Sequence, residues 1–253
     1  EFEEEFEEEF EEDNQDFEED SEEDSEEDSE DDEDNEEDDD SDSGDSDSDG
    51  SEGSVSNDTP ISSLTSGLNE FTLNQVVAGQ TVERKFFVVT KGDFDGSGST
   101  PLLFSFHGNG GSGEADASGY VPPVESGDFI GVFPEGLEWS WNLGPEASEA
   151  DDVLFVEAIL GMLNGTPGVD ATDPVAFGFS NGAGMIHELA MESQSFVAIA
   201  PVISHMLANK TPDSTAANVS VIQFSGTEDT LVPYLGGVGV LGHDFLPSED
   251  STE

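Results

Sequence analysis

The chain has 253 residues, no cysteine, and a formal net charge of −58 from 62 acidic and four basic residues. That balance excludes a nucleic-acid partner, whose phosphates it repels, and equally an anionic membrane surface. Without cysteine there are no disulfides and no thiolate metal sites.

The charge is unevenly spread. Residues 1–54 hold 35 of the 62 acidic residues and none of the four basic ones, a net of −35, which leaves −23 for residues 55–253. Apart from Phe2, Phe6, Phe10 and Phe17, the first stretch is almost entirely Glu, Asp, Ser and Gly. It cannot bury a core and reads as a disordered, solvated acidic tail. Phe2, Phe6 and Phe10 would share one helix face, but the flanking glutamates oppose that helix unless a basic partner or calcium neutralises them. Ser21, Ser25 and Ser29 each carry an acidic residue three positions on, which suits an acid-directed kinase. Residues 41–60 are rich in Ser, Gly and Asp and read as a flexible linker. The expected organisation is tail and linker over 1–60 and one domain over 61–253, with the fold beginning near Phe71 or Val82. An acidic domain of this kind also fits a salty medium, where screening relieves self-repulsion.

Past the linker, short apolar runs alternate with helical patterns. Residues 86–89, 102–106, 129–133, 175–179, 197–200 and 219–224 are near-continuous apolar runs, bounded in the main by Gly and Pro. That is the signature of strands buried on both faces of a parallel sheet. Residues 151–163 place Val153, Val156, Ile159, Leu160 and Leu163 on one helical face, with Asp151 and Asp152 at the positive end of the dipole. Residues 182–192 do the same with Met185, Ile186, Leu189 and Ala190. The alternation predicts an α/β fold with a mainly parallel sheet flanked by helices.

The chemistry begins after the strand at 175–179. Gly178-Phe179-Ser180-Asn181-Gly182 stands between a buried strand and an amphipathic helix, the context a nucleophile elbow requires. There the serine backbone is forced into a strained turn, and flanking glycines let strand and helix approach without Cβ clashes. After the strand at 102–106, His107-Gly108-Asn109-Gly110-Gly111 is a small-residue loop suited to presenting backbone N–H groups to an acyl oxygen. Asn109 and Asn181 are the candidate oxyanion donors. His107 is read as orienting that loop, with a role as base the alternative. After the strand at 219–224 comes Gly226-Thr227-Glu228-Asp229, at the sheet edge where sites assemble. Asp229 is the candidate acid that holds a base histidine; Glu228 is the alternative.

These stretches resemble the polyhydroxybutyrate depolymerase-like and feruloyl-esterase-like serine esterases of the α/β-hydrolase superfamily. The matching segments also include Phe133-Pro134-Glu135-Gly136, Ser140-Trp141-Asn142, Asp151-Asp152-Val153, Ala200-Pro201-Val202 and Val232-Pro233-Tyr234, in the family's order from about residue 80 to 250. The resemblance implies ester hydrolysis through a Ser–His–Asp triad, with Ser180 as nucleophile and Asp229 as acid. It also implies an extracellular setting and a polymeric or plant-cell-wall ester substrate. Asn109 departs from the cysteine common at its position, which matters little if only its backbone donates. Trp141 matches an aromatic of the family pattern that lines or braces the pocket, or simply packs. The acidic tail has no counterpart in the pattern.

The base is the gap. After Asp229 the remaining histidine is His243. The family's base lies considerably further on, and Phe245-Leu246-Pro247-Ser248-Glu249 resembles the start of the helix that precedes it. His243 is therefore not expected to be the base. His187 falls on the post-elbow helix, and His205 is expected at the surface or pocket rim. The sequence begins with Glu1 rather than Met and ends at Glu253, so it reads as a fragment with its base beyond the chain end, and little activity is expected of it.

No cofactor site is legible. Four scattered histidines lack zinc-ligand spacing. Asp93-Phe94-Asp95-Gly96 has Phe104 where a calcium loop needs a glutamate, and reads as a turn before a strand. No apolar run is long enough to span a bilayer, and no signal peptide is visible. Sequons stand at Asn57, Asn164, Asn209 and Asn218. The rival function is an acidic interaction protein in which the hydrolase domain is an inactive scaffold.

Overall fold

A computed structural model of the chain describes residues 53–211 and 218–252. The expectations for the acidic tail, its serines and its partner lie outside the described residues.

The domain is built on an eight-stranded sheet in the order β1-β2-β3-β5-β4-β6-β7-β8. Its first part is antiparallel. β1 (Val55–Ser56), β2 (Gly67–Val77) and β3 (Gln80–Thr90) form the meander that leads into β5 (Ile130–Pro134). The β2–β3 turn is Ala78–Gly79, both left-handed (φ 48° and 71°), which matches the natural twist of paired strands. β4 (Ser99–Phe106), β5, β6 (Gly168–Phe179), β7 (Ala198–Val202) and β8 (Ser220–Val221) run parallel.

Side chains alternate between the two faces of this sheet. Phe86 and Val88 of β3, Phe104 and Phe106 of β4 and Val132 of β5 pack with Phe155, Ile159, Met185 and Ile186, from helices α3 (Asp152–Leu163) and α4 (Asn181–Glu192). Phe87, Val89 and Phe133 point the other way, to Ala117 and Val124 of helices α1 (Gly113–Gly119) and α2 (Val121–Ser126). Helices on both faces explain why the strands read as unbroken apolar runs. The architecture is the expected α/β one, mixed at one side and parallel where the site lies.

Three expectations are corrected. The fold begins before Phe71, and before residue 61: Val55 and Ser56 pair with Gln75 and Asn74, and Gly53 N–H donates to Val76 O at 3.2 Å. The Ser/Gly/Asp composition concealed this, because pairing comes from a partner strand distant in sequence. The run at 219–224 yields a regular strand over Ser220–Val221 alone, although Ile222 and Phe224 still donate to Ile199 O and Pro201 O (3.1 and 3.0 Å). Residues 245–249 do not start a helix. Asp244–Phe245 is β10, paired antiparallel with β9 (Gly237–Val238), and a 3-10 turn follows at Asp250–Thr252.

The chain leaves β4 for β5 on one side and returns to β6 on the other. That reversal of direction is a topological switch point, where the carboxyl ends of parallel strands leave a crevice. Phe106 and Phe179 end the two strands there, so the loop at His107 and the turn at Ser180 face each other.

Candidate active site

Ser180 joins β6 directly to α4 with φ 53° and ψ −120°. A non-glycine residue holds this conformation only where its surroundings enforce it. Here Ser180 N–H donates to Val202 O at 2.9 Å, while Ala183 and Gly184 N–H donate to Ser180 O at 2.9 and 3.1 Å. The turn needs its glycines. A Cβ on Gly178 would lie 2.2 Å from Gly182 O, and one on Gly182 would lie 2.2 Å from Phe106 O.

The facing loop is held from behind. Buried His107 accepts Gly136 N–H at Nε2 (3.0 Å). Its Nδ1 therefore carries the proton and donates to Gly108 O (2.8 Å). Burial pushes the imidazole pKa down, partly opposed by the Gly108 carbonyl. Both nitrogens are engaged by backbone, which fits a loop-orienting role and leaves none for a nucleophile. Trp141 is wholly buried; its Nε1–H donates to His107 O (2.9 Å) and its ring meets Phe106 edge-on at 5.2 Å. Of the roles open to it, bracing is the one its position allows.

The Asn181 carboxamide bolts a third loop to the elbow. Its Oδ1 accepts Trp141 N–H (2.7 Å) and its Nδ2 donates to Trp141 O (3.0 Å) and to Glu146 Oε1 (3.1 Å). The side chain is fully used, and the Asn181 backbone N–H lies at the start of α4, where helical N–H groups have no helical partner.

Ser180, Asn181 and Asn109 line one cavity of about 290 Å³. Glu146, His243, Leu231 and Val232 line it too. Sequence reasoning did not find Glu146, which stands in an unpatterned loop. His243 Nε2 is 3.0 Å from Glu146 Oε1, and Leu143 N–H donates to Oε2 at 2.8 Å. Burial raises the Glu146 pKa, but the His243 and Leu143 contacts outweigh it and the net shift is downward.

Asp229 is not among the residues lining this cavity, although Leu231 and Val232 beside it are. It is half-buried, and its Oδ1 accepts the N–H groups of both (2.9 and 3.0 Å). Glu228 is exposed. His205 is not at the surface or rim as expected. It is 1% exposed, with Nε2 2.9 Å from Ser225 Oγ and Nδ1 3.2 Å from Leu246 O. The residues after β7 fold back under β10, which the local sequence does not show. His187 sits on α4 as expected and is equally buried; burial, then the charge of His205, lowers its pKa to about 4. Of the four histidines, His243 alone lines the cavity with Ser180, and there it is paired with Glu146.

A strained serine between a parallel strand and a helix, beside a switch point and opposite a small-residue loop, is the arrangement of an α/β-hydrolase fold. No family model matches the chain. In sequence it is similar to feruloyl esterase B of Piromyces equi, 28% identical over 166 residues, which cover 61% of this chain and 31% of that protein. It is likewise similar to a probable feruloyl esterase C of Aspergillus niger, 27% identical over 163 residues, covering 61% and 58%. In fold it is similar to poly(aspartic acid) hydrolase-1 from Sphingomonas sp. KT-1, with TM-score 0.50, 18% identity and coverage of 66% and 74%. The matched region thus takes up less than two thirds of either curated relative. Among the described residues no helix is long and apolar enough to cross a membrane.

Proposed function

We propose that this chain carries the nucleophile and oxyanion site of a serine esterase acting on carboxylic esters. The observation that carries the reading is Ser180, strained at φ 53° and ψ −120° and lining the same cavity as Asn109 and Asn181. In this reading Ser180 Oγ attacks the ester carbonyl, and the developing oxyanion takes the backbone N–H groups of Asn109 and Asn181. Asp229 is the acid of a Ser–His–Asp triad. Its base comes from outside these 253 residues, since His107 and His205 are hydrogen-bonded away from the cavity, His187 is buried away from it and His243 faces Glu146. The names of the relatives favour feruloyl esters, and an extracellular setting accompanies that reading.

The test is chemical. The purified chain and Ser180→Ala are incubated with p-nitrophenyl butyrate, and acyl adducts are mapped by mass spectrometry. A slow butyryl adduct on Ser180, absent from the variant, is the expected result. Turnover indifferent to Ser180→Ala refutes the nucleophile. Turnover at a full esterase rate refutes the placement of the base.

A further inference from the structure

The carboxylate of Glu146 is a junction that the proposed reaction does not use. Its Oε1 accepts Asn181 Nδ2–H at 3.1 Å, its Oε2 accepts Leu143 N–H at 2.8 Å, and His243 Nε2 approaches Oε1 at 3.0 Å. All four residues line the Ser180 cavity, and the Glu146 and His243 side chains are each 10% exposed. One carboxylate thus joins the elbow, the loop between β5 and α3, and the turn of the β9–β10 hairpin. The contacts are unequal. The first two are aligned hydrogen bonds, whereas His243 Nε2 is close without being aligned for one. Losing it leaves Glu146 with two donors and leaves Asn181 clamped on Trp141. Residues 239–243 are bonded as one piece, by Gly239 N–H to His243 O (2.8 Å) and Gly242 N–H to Gly239 O (3.1 Å). Behind them β10 is pinned, by Ala208 N–H to Asp244 O and Leu246 N–H to Met206 O, both at 2.8 Å. Before them stands Gly237, left-handed at φ 101° with open space where a Cβ would lie, a position free to pivot. Leu241 lines the cavity and is still 57% exposed, so this turn is the cavity's outer wall.

We propose that residues 239–243 form a flap over the Ser180 cavity, latched by His243 on Glu146, and that these two residues determine specificity by setting the bulk of the ester that reaches Ser180. Latched, the flap bounds a cavity of about 290 Å³, which suits a small ester. Released, it takes Leu241 and His243 out of the wall and admits a bulkier acyl or alcohol group. The latch shifts a population between two arrangements, by as much as the contact favours the closed one. The proposal rests on the esterase reading of Ser180 for what passes beneath the flap, but its test needs no ester chemistry.

The chain has no cysteine, so Ser180→Cys places a single thiol in the cavity. It is alkylated with N-ethylmaleimide and with N-(1-pyrenyl)maleimide, uncharged reagents that share a reactive head and differ in bulk, and both rates are read by intact mass. Their ratio cancels the ionisation of the thiol. In this background His243→Leu, which keeps the bulk and loses the N–H, is expected to raise the pyrenyl-to-ethyl ratio about fivefold, the population shift a contact of this strength supports. Glu146→Gln, which keeps the shape and loses the charge, raises it likewise, and the two changes together raise it no further than either alone. His243→Gln restores an N–H donor and returns the ratio toward that of the parent. A ratio unmoved by His243→Leu, or moved equally by His243→Gln, overturns the latch, as does an additive double variant. If Glu146→Gln does not fold, judged by its urea midpoint, the two changes at His243 decide alone. An unmoved ratio beside acylation of Ser180 by p-nitrophenyl butyrate in the unaltered chain refutes the flap alone. A moved ratio without that acylation refutes the esterase reading alone.

Discussion

The carboxamide of Asn181 grips the backbone of Trp141 from both sides, taking its N–H at 2.7 Å and giving an N–H to its C=O at 3.0 Å. The elbow and the buried brace behind the loop at His107 are thereby one rigid piece. Asn181→Ala leaves a buried N–H and C=O without partners, at a cost of about 2–4 kcal/mol. The backbone N–H of residue 181 is retained, so the loss is expected in the urea midpoint. A midpoint unchanged from the unaltered chain contradicts the clamp.

The elbow tolerates no side chain at its glycines. With backbone oxygens 2.2 Å from an added Cβ at Gly178 and at Gly182, neither alanine variant fits without moving β4, β6 or α4. Each is expected to lose more than about 3 kcal/mol, the range of severe core disruption. Gly161→Ala, where an added Cβ has nothing within 4 Å, is the control. Chemical unfolding that ranks the three alike contradicts the packing argument.

Arg84 and Asp152 form an ion pair at 2.6 Å with side chains 1% and 2% exposed. Arg84 also donates to Gln75 Oε1 at 2.6 Å and lies 4.0 Å over the Phe155 ring. Removing one partner strands a buried charge, so Asp152→Leu is expected to cost about 3–5 kcal/mol. The double change Arg84→Met with Asp152→Leu removes both charges and recovers much of that loss. A double variant as unstable as the single one shows that packing, not charge, dominates.

Two buried groups on α4 give opposite pH slopes. His187, lowered to about 4, is neutral in the fold while the unfolded chain takes up a proton below pH 6.5. Its contribution, about 3 kcal/mol, is present above pH 6.5 and lost as pH falls toward 4. Glu188 is raised to about 7, by burial against the opposing contact from Lys210. It stays protonated in the fold while the unfolded chain ionises, so stability is lost as pH rises from 4.5 to 7. Glu188→Gln removes the second slope. Relative to the unaltered chain, its stability is expected to rise more steeply between pH 4.5 and 6.5. A parallel pair of urea-unfolding curves across that range contradicts the assignment.

The net charge of −58 repels itself, and salt screens it. The melting temperature is expected to rise with NaCl concentration. A melting point insensitive to salt removes the argument for a saline setting.

Much of the site was legible because its signals are local. Gly178 and Gly182 flank Ser180 in the sequence itself, and the strand before and the helix after follow from apolar patterning within a few residues. The runs at 102–106 and 129–133 were readable for the same reason, since a strand covered on both faces is apolar throughout. Asp151 was placed correctly at the start of α3, where its side chain caps Leu154 N–H at 2.9 Å. Asp152 also stands in that first turn, as read; what the sequence did not show is that it is also the counter-ion of Arg84, 68 residues earlier. Val55–Ser56 was hidden in a linker-like composition, and His205 was assigned to the surface, because strand pairing and burial depend on segments far along the chain.

The sequence by itself determined the α/β class, the elbow at Ser180 and the loop at Asn109, through short-range patterns of glycine, apolar runs and order along the chain. Only the tertiary structure decided what surrounds them. It buried Trp141 and exposed Trp139, turned the two nitrogens of His107 to the backbone, brought Glu146 and His243 onto the wall beside Ser180, and left Asp229 off that wall. The physical reason is that a side chain's exposure, charge partner and tautomer are set by atoms folded against it from elsewhere, and no local window of residues contains them.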